Sequence, residues 1–117
     1  MELYIAGKYK ALVVKISGEL DHHIAAGVRE VIDRELQRTG AVNLAFDFGR
    51  LGFMDSSGIG VIMGRYKIVS ALGGKIVISG ASKAVERIIN MSGIKELVIM
   101  TENLEQGLEE AAANVEK

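Results

Sequence analysis

The chain has 117 residues, 49% of them hydrophobic and 25% charged, a balance that is typical of one globular domain and excludes extensive disorder. The formal net charge of −1 comes without a cluster of Lys or Arg, so we expect no direct binding of nucleic acid. No cysteine is present, which excludes disulfides, a cysteine nucleophile and thiolate metal ligands.

Apolar periodicity divides the chain into alternating strands and helices. Helix boundaries come from Asp, Ser and Asn as N-caps and from glycine at the C-terminal ends. In chain order the sequence predicts strands at 3–5 and 12–16, a helix from Asp21 to Gly40 with Ile24, Val28, Val31, Ile32 and Leu36 inward, a strand at 42–48, a helix ending at Gly73-Gly74, a strand at 75–79, a helix from Ser82 to Gly93, a strand at 97–100, and a helix opened by Asn103.

This order predicts an α/β fold with a mostly parallel mixed sheet of about five strands and about four helices, in which the first two strands are antiparallel. No segment reaches the roughly 18 apolar residues of a membrane span, and the N-terminus lacks a signal-peptide pattern. We therefore expect a single domain over residues 1–117, cytoplasmic and monomeric, without cofactor or metal. Only Asn114 to Lys117 are expected to be frayed.

The junction between the strand at 42–48 and the next helix contains Asp55-Ser56-Ser57-Gly58. One of its first three residues is expected to cap the helix, which leaves at least one hydroxyl free at a helix N-terminus that favours anions. Gly58 and Gly60 each cost a helix about 1 kcal/mol relative to Ala. Two glycines in the first turn therefore indicate a surface kept bare for a partner or an active site.

Two other chemistries compete for this junction. A nucleotide loop is disfavoured because no Lys-Ser/Thr follows the last glycine and because the glycines do not directly follow the strand. A serine hydrolase would use Ser56 with His22 or His23, yet no polar substrate contacts are evident. Asp21 either only caps its helix or also shares one sheet edge with the serines, if their strands are parallel neighbours. The residues leave both interpretations of Asp21 open.

Four expectations concern neighbouring side chains. Gly60 and Gly64 lie one turn apart, which favours close packing of their helix on the sheet. Arg65 is expected on a solvated face, and Met54 and Met91 in the core; for Met54, which lies in the loop, an exposed contact is the alternative.

Three segments together resemble a known family. They are Gly18-Glu19-Leu20-Asp21-His22-His23, the run from Phe53 to Lys67, and Met91-Ser92-Gly93. In order and spacing, over essentially the whole chain, they are similar to the anti-sigma factor antagonists, and the flanking segments resemble the sporulation branch in particular.

The resemblance implies a STAS fold and a non-enzymatic partner switch. Unmodified protein would bind an anti-sigma factor that is also a serine kinase (SpoIIAB-like) and so free the sporulation sigma factor; a general stress-response or stressosome regulator is the alternative. Phosphorylation at Ser56 would switch binding off, a PP2C-type phosphatase (SpoIIE-like) would restore it, and Ser57 would serve the helix start. The implied partner-binding residues are Asp21, Met54, Asp55, Ser56, Ser57, Gly58 and Gly60.

Overall fold

A computed structural model describes the backbone of residues 1–115 and the side chains of residues 1–113. The predicted order of strands and helices is confirmed, with two short 3-10 helices added. The elements are β1 (Glu2–Ala6), a 3-10 helix (Gly7–Tyr9), β2 (Ala11–Leu20), α1 (His22–Thr39), β3 (Asn43–Met54), α2 (Ser56–Ala71), β4 (Ile76–Ser79), α3 (Lys83–Ser92), a 3-10 helix (Ile94–Leu97), β5 (Ile99–Thr101) and α4 (Leu104–Val115). Fraying was predicted for Asn114 to Lys117, but α4 includes the first two of these residues, and residues 116 and 117 lie outside the described residues.

The five strands form one sheet in the order β1-β2-β3-β4-β5. As predicted, β1 runs antiparallel to β2, and the other neighbours are parallel. Each crossover moves the chain one strand in the same direction, and right-handed crossovers then place α1, α2 and α3 on one face of the sheet. Helix α4 covers the opposite face, where Leu108 and Ala111 pack on Ala11, Val13 and Val77.

The larger core lies between the sheet and α1–α3. Alternate residues of the central strands point into it, as a period of two requires. Its largest fully buried side chains include Leu12, Leu20, Ile32, Leu44, Phe46, Phe48, Met54, Ile62, Ile76, Ile78 and Ile89.

Helix ends follow the capping signals in the sequence. Ser82 Oγ accepts a hydrogen bond from Val85 N at 3.2 Å, and Asn103 Oδ1 accepts one from Gln106 N at 2.8 Å. Gly40 and Gly93 close α1 and α3 with φ of 71° and 83°, in the left-handed region that glycine enters without strain.

The predictions fail at several positions where tertiary contacts decide. The third strand does not end at residue 48 but continues to Met54, since it pairs with a second strand that runs on to Leu20. Met91 is exposed on the last turn of α3, not buried, and Ile24 is also exposed, since α1 buries the flank that carries Ala25 and Val28 instead.

Within the described residues, no helix combines the length and hydropathy of a membrane span.

Candidate functional site

The candidate site lies where β2 and β3 end side by side. Leu20 and Met54, the last residues of the two strands, are paired, and Asp55 N donates a hydrogen bond to Leu20 O at 3.3 Å. Asp21 and Asp55 follow directly, so both carboxylates stand at the same edge of the sheet. Of the two interpretations of Asp21 that the sequence left open, the structure shows a shared edge with the serines, because the two strands are parallel neighbours.

The same edge holds two helix starts of the same design. Asp21 Oδ1 accepts a hydrogen bond from His23 N at 3.0 Å, and Asp55 Oδ1 accepts one from Ser57 N at 2.8 Å. Both aspartates have extended backbones, as N-cap residues do. Asp21 therefore caps its helix and also lies at the edge that holds the serines. The assignment of Ser57 to the helix start was wrong: Asp55 is the cap, since its carboxylate reaches the N–H group two residues ahead.

Ser56 is the first residue of α2, and its side chain is exposed, whereas Ser57 is half-buried. The buried residues of α2 include Ile62, Arg65 and Val69, and the 100° turn per residue directs Ser56 away from that face. Its hydroxyl thus stands free at the positive end of the helix, where added negative charge is stabilised.

The glycines of α2 have different surroundings. Gly58 is buried, and a Cβ there would lie 2.7 Å from Met54 Sδ and 3.2 Å from Leu20 Cδ2, so only glycine lets α2 sit on the strand ends. A Cβ on Gly60 or Gly64 would meet nothing within 4 Å. The predicted close packing of these two glycines on the sheet was wrong, because the helix turns a different face inward.

Beyond the main sheet, β2 and β3 continue as a two-stranded ribbon. From the Lys15–Asp47 pair to the Leu20–Met54 pair, β2 advances five residues and β3 seven. Two extra residues therefore interrupt β3 as β-bulges, which change the side to which following side chains point. Gly49 and Gly52 were the signal for them, since glycine inside a strand often marks a bulge.

The bulges decide which ribbon side chains are exposed. Met54 is only 1% exposed, so its predicted place in the core is confirmed and the alternative of an exposed contact is wrong: the residue ends a paired strand and fills the space beneath Gly58. Phe53 is 49% exposed instead, although Phe46 and Phe48 of the same strand are fully buried. The residues alone did not single out Phe53, because strict alternation does not hold across a bulge.

The hydrolase interpretation lacks its geometry. The rings of His22 and His23 lie 4.1 Å apart, against each other. Among the hydrogen bonds of the described residues, none joins either histidine to Ser56. No group of three or more His, Cys, Asp or Glu side chains within the described residues is placed to hold a metal ion.

A buried charge pair fixes α2 against α1. Arg65 is almost fully buried, not solvated as expected, and its Nε lies 2.8 Å from Asp33 Oδ1. The guanidinium also donates a hydrogen bond to Val61 O at 3.3 Å. Burial lowers the pKa of the Arg65 guanidinium from its ordinary value, and the charge of Asp33 acts in the opposite direction.

Relatives of known function share this architecture. The STAS domain family matches residues 3–111. The anti-sigma F factor antagonist of Paenibacillus polymyxa is 39% identical over 79% of each chain, and the anti-sigma-B factor antagonist of Bacillus subtilis is 30% identical over 82% of this chain and 86% of its own.

One solved relative is the anti-sigma factor antagonist SpoIIAA, 27% identical to this chain. Its unphosphorylated form has a TM-score of 0.83 and covers 96% of both chains. Its phosphorylated form has a TM-score of 0.73 and covers 93% of this chain and 96% of its own. The chain therefore belongs to the STAS domain family and, within it, to the anti-sigma factor antagonists, a class of non-enzymatic regulators.

Proposed function

We propose that this chain is a sporulation-type antagonist controlled by phosphorylation of Ser56. The unmodified form binds a SpoIIAB-like anti-sigma factor, which is also a serine kinase, and thereby frees the sporulation sigma factor. The observation that carries the proposal is the exposed Ser56 hydroxyl directly after the Asp55 cap, in a chain similar to a protein solved in unphosphorylated and phosphorylated forms.

The proposed modification is a phosphoryl transfer from ATP to the serine hydroxyl. Ser56 Oγ attacks the γ-phosphorus of ATP, its proton passes to a base of the kinase or to water, and ADP leaves. A SpoIIE-like PP2C-type phosphatase later hydrolyses the phosphoserine and returns the hydroxyl. The kinase supplies ATP and the catalytic groups, so this chain has to present only the serine.

The proposed contact surface divides by burial. Ser56, Ser57 and Gly60 are accessible and would touch the partner, whereas Met54 and Gly58 are buried and would hold the surface in shape from beneath. The remaining members, Asp21 and Asp55, would act mainly by fixing the two helix starts, because each carboxylate already accepts a backbone hydrogen bond.

A phosphate on Ser56 can weaken binding of the partner enough to act as a switch. It adds about −1.5 to −2 charges. A 100- to 1000-fold loss of affinity requires about 2.7–4 kcal/mol, within reach of one charged group that a partner must desolvate next to two aspartates. The α2 N-terminus favours the phosphate by about 0.3–1 kcal/mol, so we expect the fold to persist. The proposal implies a cytoplasmic monomer that contacts neither membrane nor nucleic acid.

The decisive experiment is a kinase reaction with ATP and the anti-sigma F factor of Paenibacillus polymyxa, followed by mass spectrometry. Wild-type protein should gain one phosphate at Ser56 and lose affinity for the kinase. Ser56→Ala should bind and gain no mass, whereas the matched control Ser57→Ala should still be phosphorylated. Phosphate on Ser57 alone would overturn the site but not the switch; labelling of Ser56 by a fluorophosphonate probe would instead point to hydrolase chemistry.

The second candidate is a general stress-response antagonist, favoured by the 30% identity to the Bacillus subtilis anti-sigma-B factor antagonist. Both functions use the same serine and the same fold. Parallel binding titrations with the anti-sigma F factor and the anti-sigma-B factor separate them, since the cognate partner should bind at least about tenfold more tightly, a difference of about 1.4 kcal/mol.

A further inference from the structure

Phe53 is an aromatic side chain that the fold turns outward beside the candidate phosphorylation site. It is 49% exposed and lies three residues before Ser56. The chain has only three phenylalanines, and Phe46 and Phe48 are fully buried. A half-exposed ring forgoes part of the stabilisation that burial would give the folded state.

The backbone, not a flexible loop, holds Phe53 outside. Phe53 lies within β3 and is paired with Glu19 of β2. The extra residues of the bulged strand bring Leu51 and Met54 into the core, and the two positions between them, Gly52 and Phe53, face out. The exposed ring is therefore presented by a paired and bulged ribbon, the kind of structure that re-aims side chains next to functional sites.

The surroundings of the ring have the composition of a binding interface. Gly52 and Gly18 lie beside it without side chains, and a Cβ on Gly52 would stand 3.6 Å from Gly18 O. Glu19, the partner of Phe53 in the sheet, is exposed and adds a charge beside it. An aromatic centre with a polar rim is the usual arrangement of a binding hot spot.

We infer that Phe53 is the apolar anchor by which the anti-sigma factor kinase docks on this chain, an inference that rests on the proposed function. A standard interface covers about 800 Å² on each partner, a disc with a radius of about 16 Å. Phe53 lies within about 10 Å of Ser56 along an extended chain. A kinase whose interface of that size is centred on Ser56 therefore reaches as far as the ring.

The Phe53 ring and the phosphate on Ser56 then affect binding from two different positions. The ring contributes equally to binding before and during phosphoryl transfer, because it does not touch the reacting atoms. Loss of such uniform binding raises KM and leaves kcat unchanged. Phosphorylation, in contrast, changes the charge at Ser56 and leaves the ring in place.

The test compares Phe53→Ala with wild type in binding and phosphorylation by the Paenibacillus polymyxa anti-sigma F factor. A half-exposed phenyl ring leaves roughly 80–100 Å² of apolar surface to bury, so we expect Kd and KM to rise about 10- to 50-fold, with kcat within about twofold. Phe53→Leu should recover part of the affinity. The matched control is Leu72→Ala, since Leu72 is 53% exposed at the opposite end of α2; it should leave Kd, KM and kcat unchanged.

The outcomes separate the inference from the function on which it rests. Wild-type protein that neither binds the kinase nor gains a phosphate overturns the proposed function and the inference together. Wild-type protein that does both, with Phe53→Ala equally active, overturns the inference alone. So does a Phe53→Ala effect confined to dephosphorylation by a PP2C-type phosphatase or to self-association in sedimentation, because the ring would then serve another occupant.

Discussion

Substitution of Gly60 by alanine tests whether glycine is needed at this position for the fold or for binding of the partner. Gly60 lies one helical turn after Ser56 on the same face of α2, and an added Cβ would meet nothing within 4 Å in the free protein. Nothing inside the molecule therefore requires glycine at this position. In the proposed complex, however, the methyl group would stand between the helix and the docked partner.

The two effects have opposite signs. Alanine is favoured over glycine in a helix by about 1 kcal/mol, so Gly60→Ala should stabilise the free protein by about that amount and raise Tm by about 4 °C. A methyl group forced into a packed interface costs about 1–3 kcal/mol, which corresponds to a loss of kinase affinity of about 5- to 150-fold. The variant should thus be more stable and bind less well.

Thermal unfolding and binding titration on the same preparation test this expectation. Gly27→Ala is the matched control, because Gly27 is exposed on the neighbouring helix α1 and an added Cβ there also meets nothing within 4 Å. It should raise Tm by a similar amount and leave affinity unchanged. If Gly60→Ala bound the kinase as tightly as wild type, this turn of α2 would lie outside the interface and the reasoning would fail.

Three further predictions concern the framework beneath the site. Gly58→Ala should destabilise the protein by about 1–2 kcal/mol in denaturant unfolding, because its Cβ collides with the Met54 side chain; equal or higher stability would contradict the packing described. Asp55→Ala should cost about 1 kcal/mol through loss of the N-cap, and Asp55→Asn, which retains an acceptor, should recover most of it. Asp33→Ala leaves the buried Arg65 cation unpaired and should cost about 1–2 kcal/mol, less than the 3–5 kcal/mol of a fully buried pair because Asp33 is partly exposed. In urea titrations Arg65→Met should lower the free energy of unfolding less than Asp33→Ala does. The reverse order would show that the unpaired charge is not what destabilises Asp33→Ala.

Much of the fold could be predicted because its signals are local. Strand and helix alternation fixed the parallel sheet, and single residues such as Asp21, Gly40 and Gly93 marked helix ends where the structure has them. These signals act through backbone geometry within a few residues, so neighbouring sequence contains them. The length of β3 was missed, because its last six residues are a strand only through pairing with β2.

The sequence indicated where along the chain the candidate site lies, but not the directions in which its side chains point. Residue types at a strand-helix junction indicated a free hydroxyl within Asp55-Ser56-Ser57, and the resemblance to a family then selected Ser56. Met54 was left between the core and an exposed contact, and Phe53 was assigned no exposure at all, since two bulges set the directions of both side chains and depend on the register of another strand. Arg65 looked solvated because its partner, Asp33, comes from a different helix.

The start of α2 is held in a way that suits a switch acting on the partner rather than on the fold. The Asp55 cap fixes its first turn, the Gly58–Met54 contact seats it on the strand ends, and the Arg65 ion pair ties its middle to α1. None of these contacts uses the Ser56 side chain, so a phosphate there has no internal contact to break. The 2.7–4 kcal/mol that a 100- to 1000-fold switch requires must then arise in the complex, through desolvation and repulsion. A rigid serine makes that penalty hard to avoid, because the helix cannot move the phosphate away from the partner without giving up its own cap and packing.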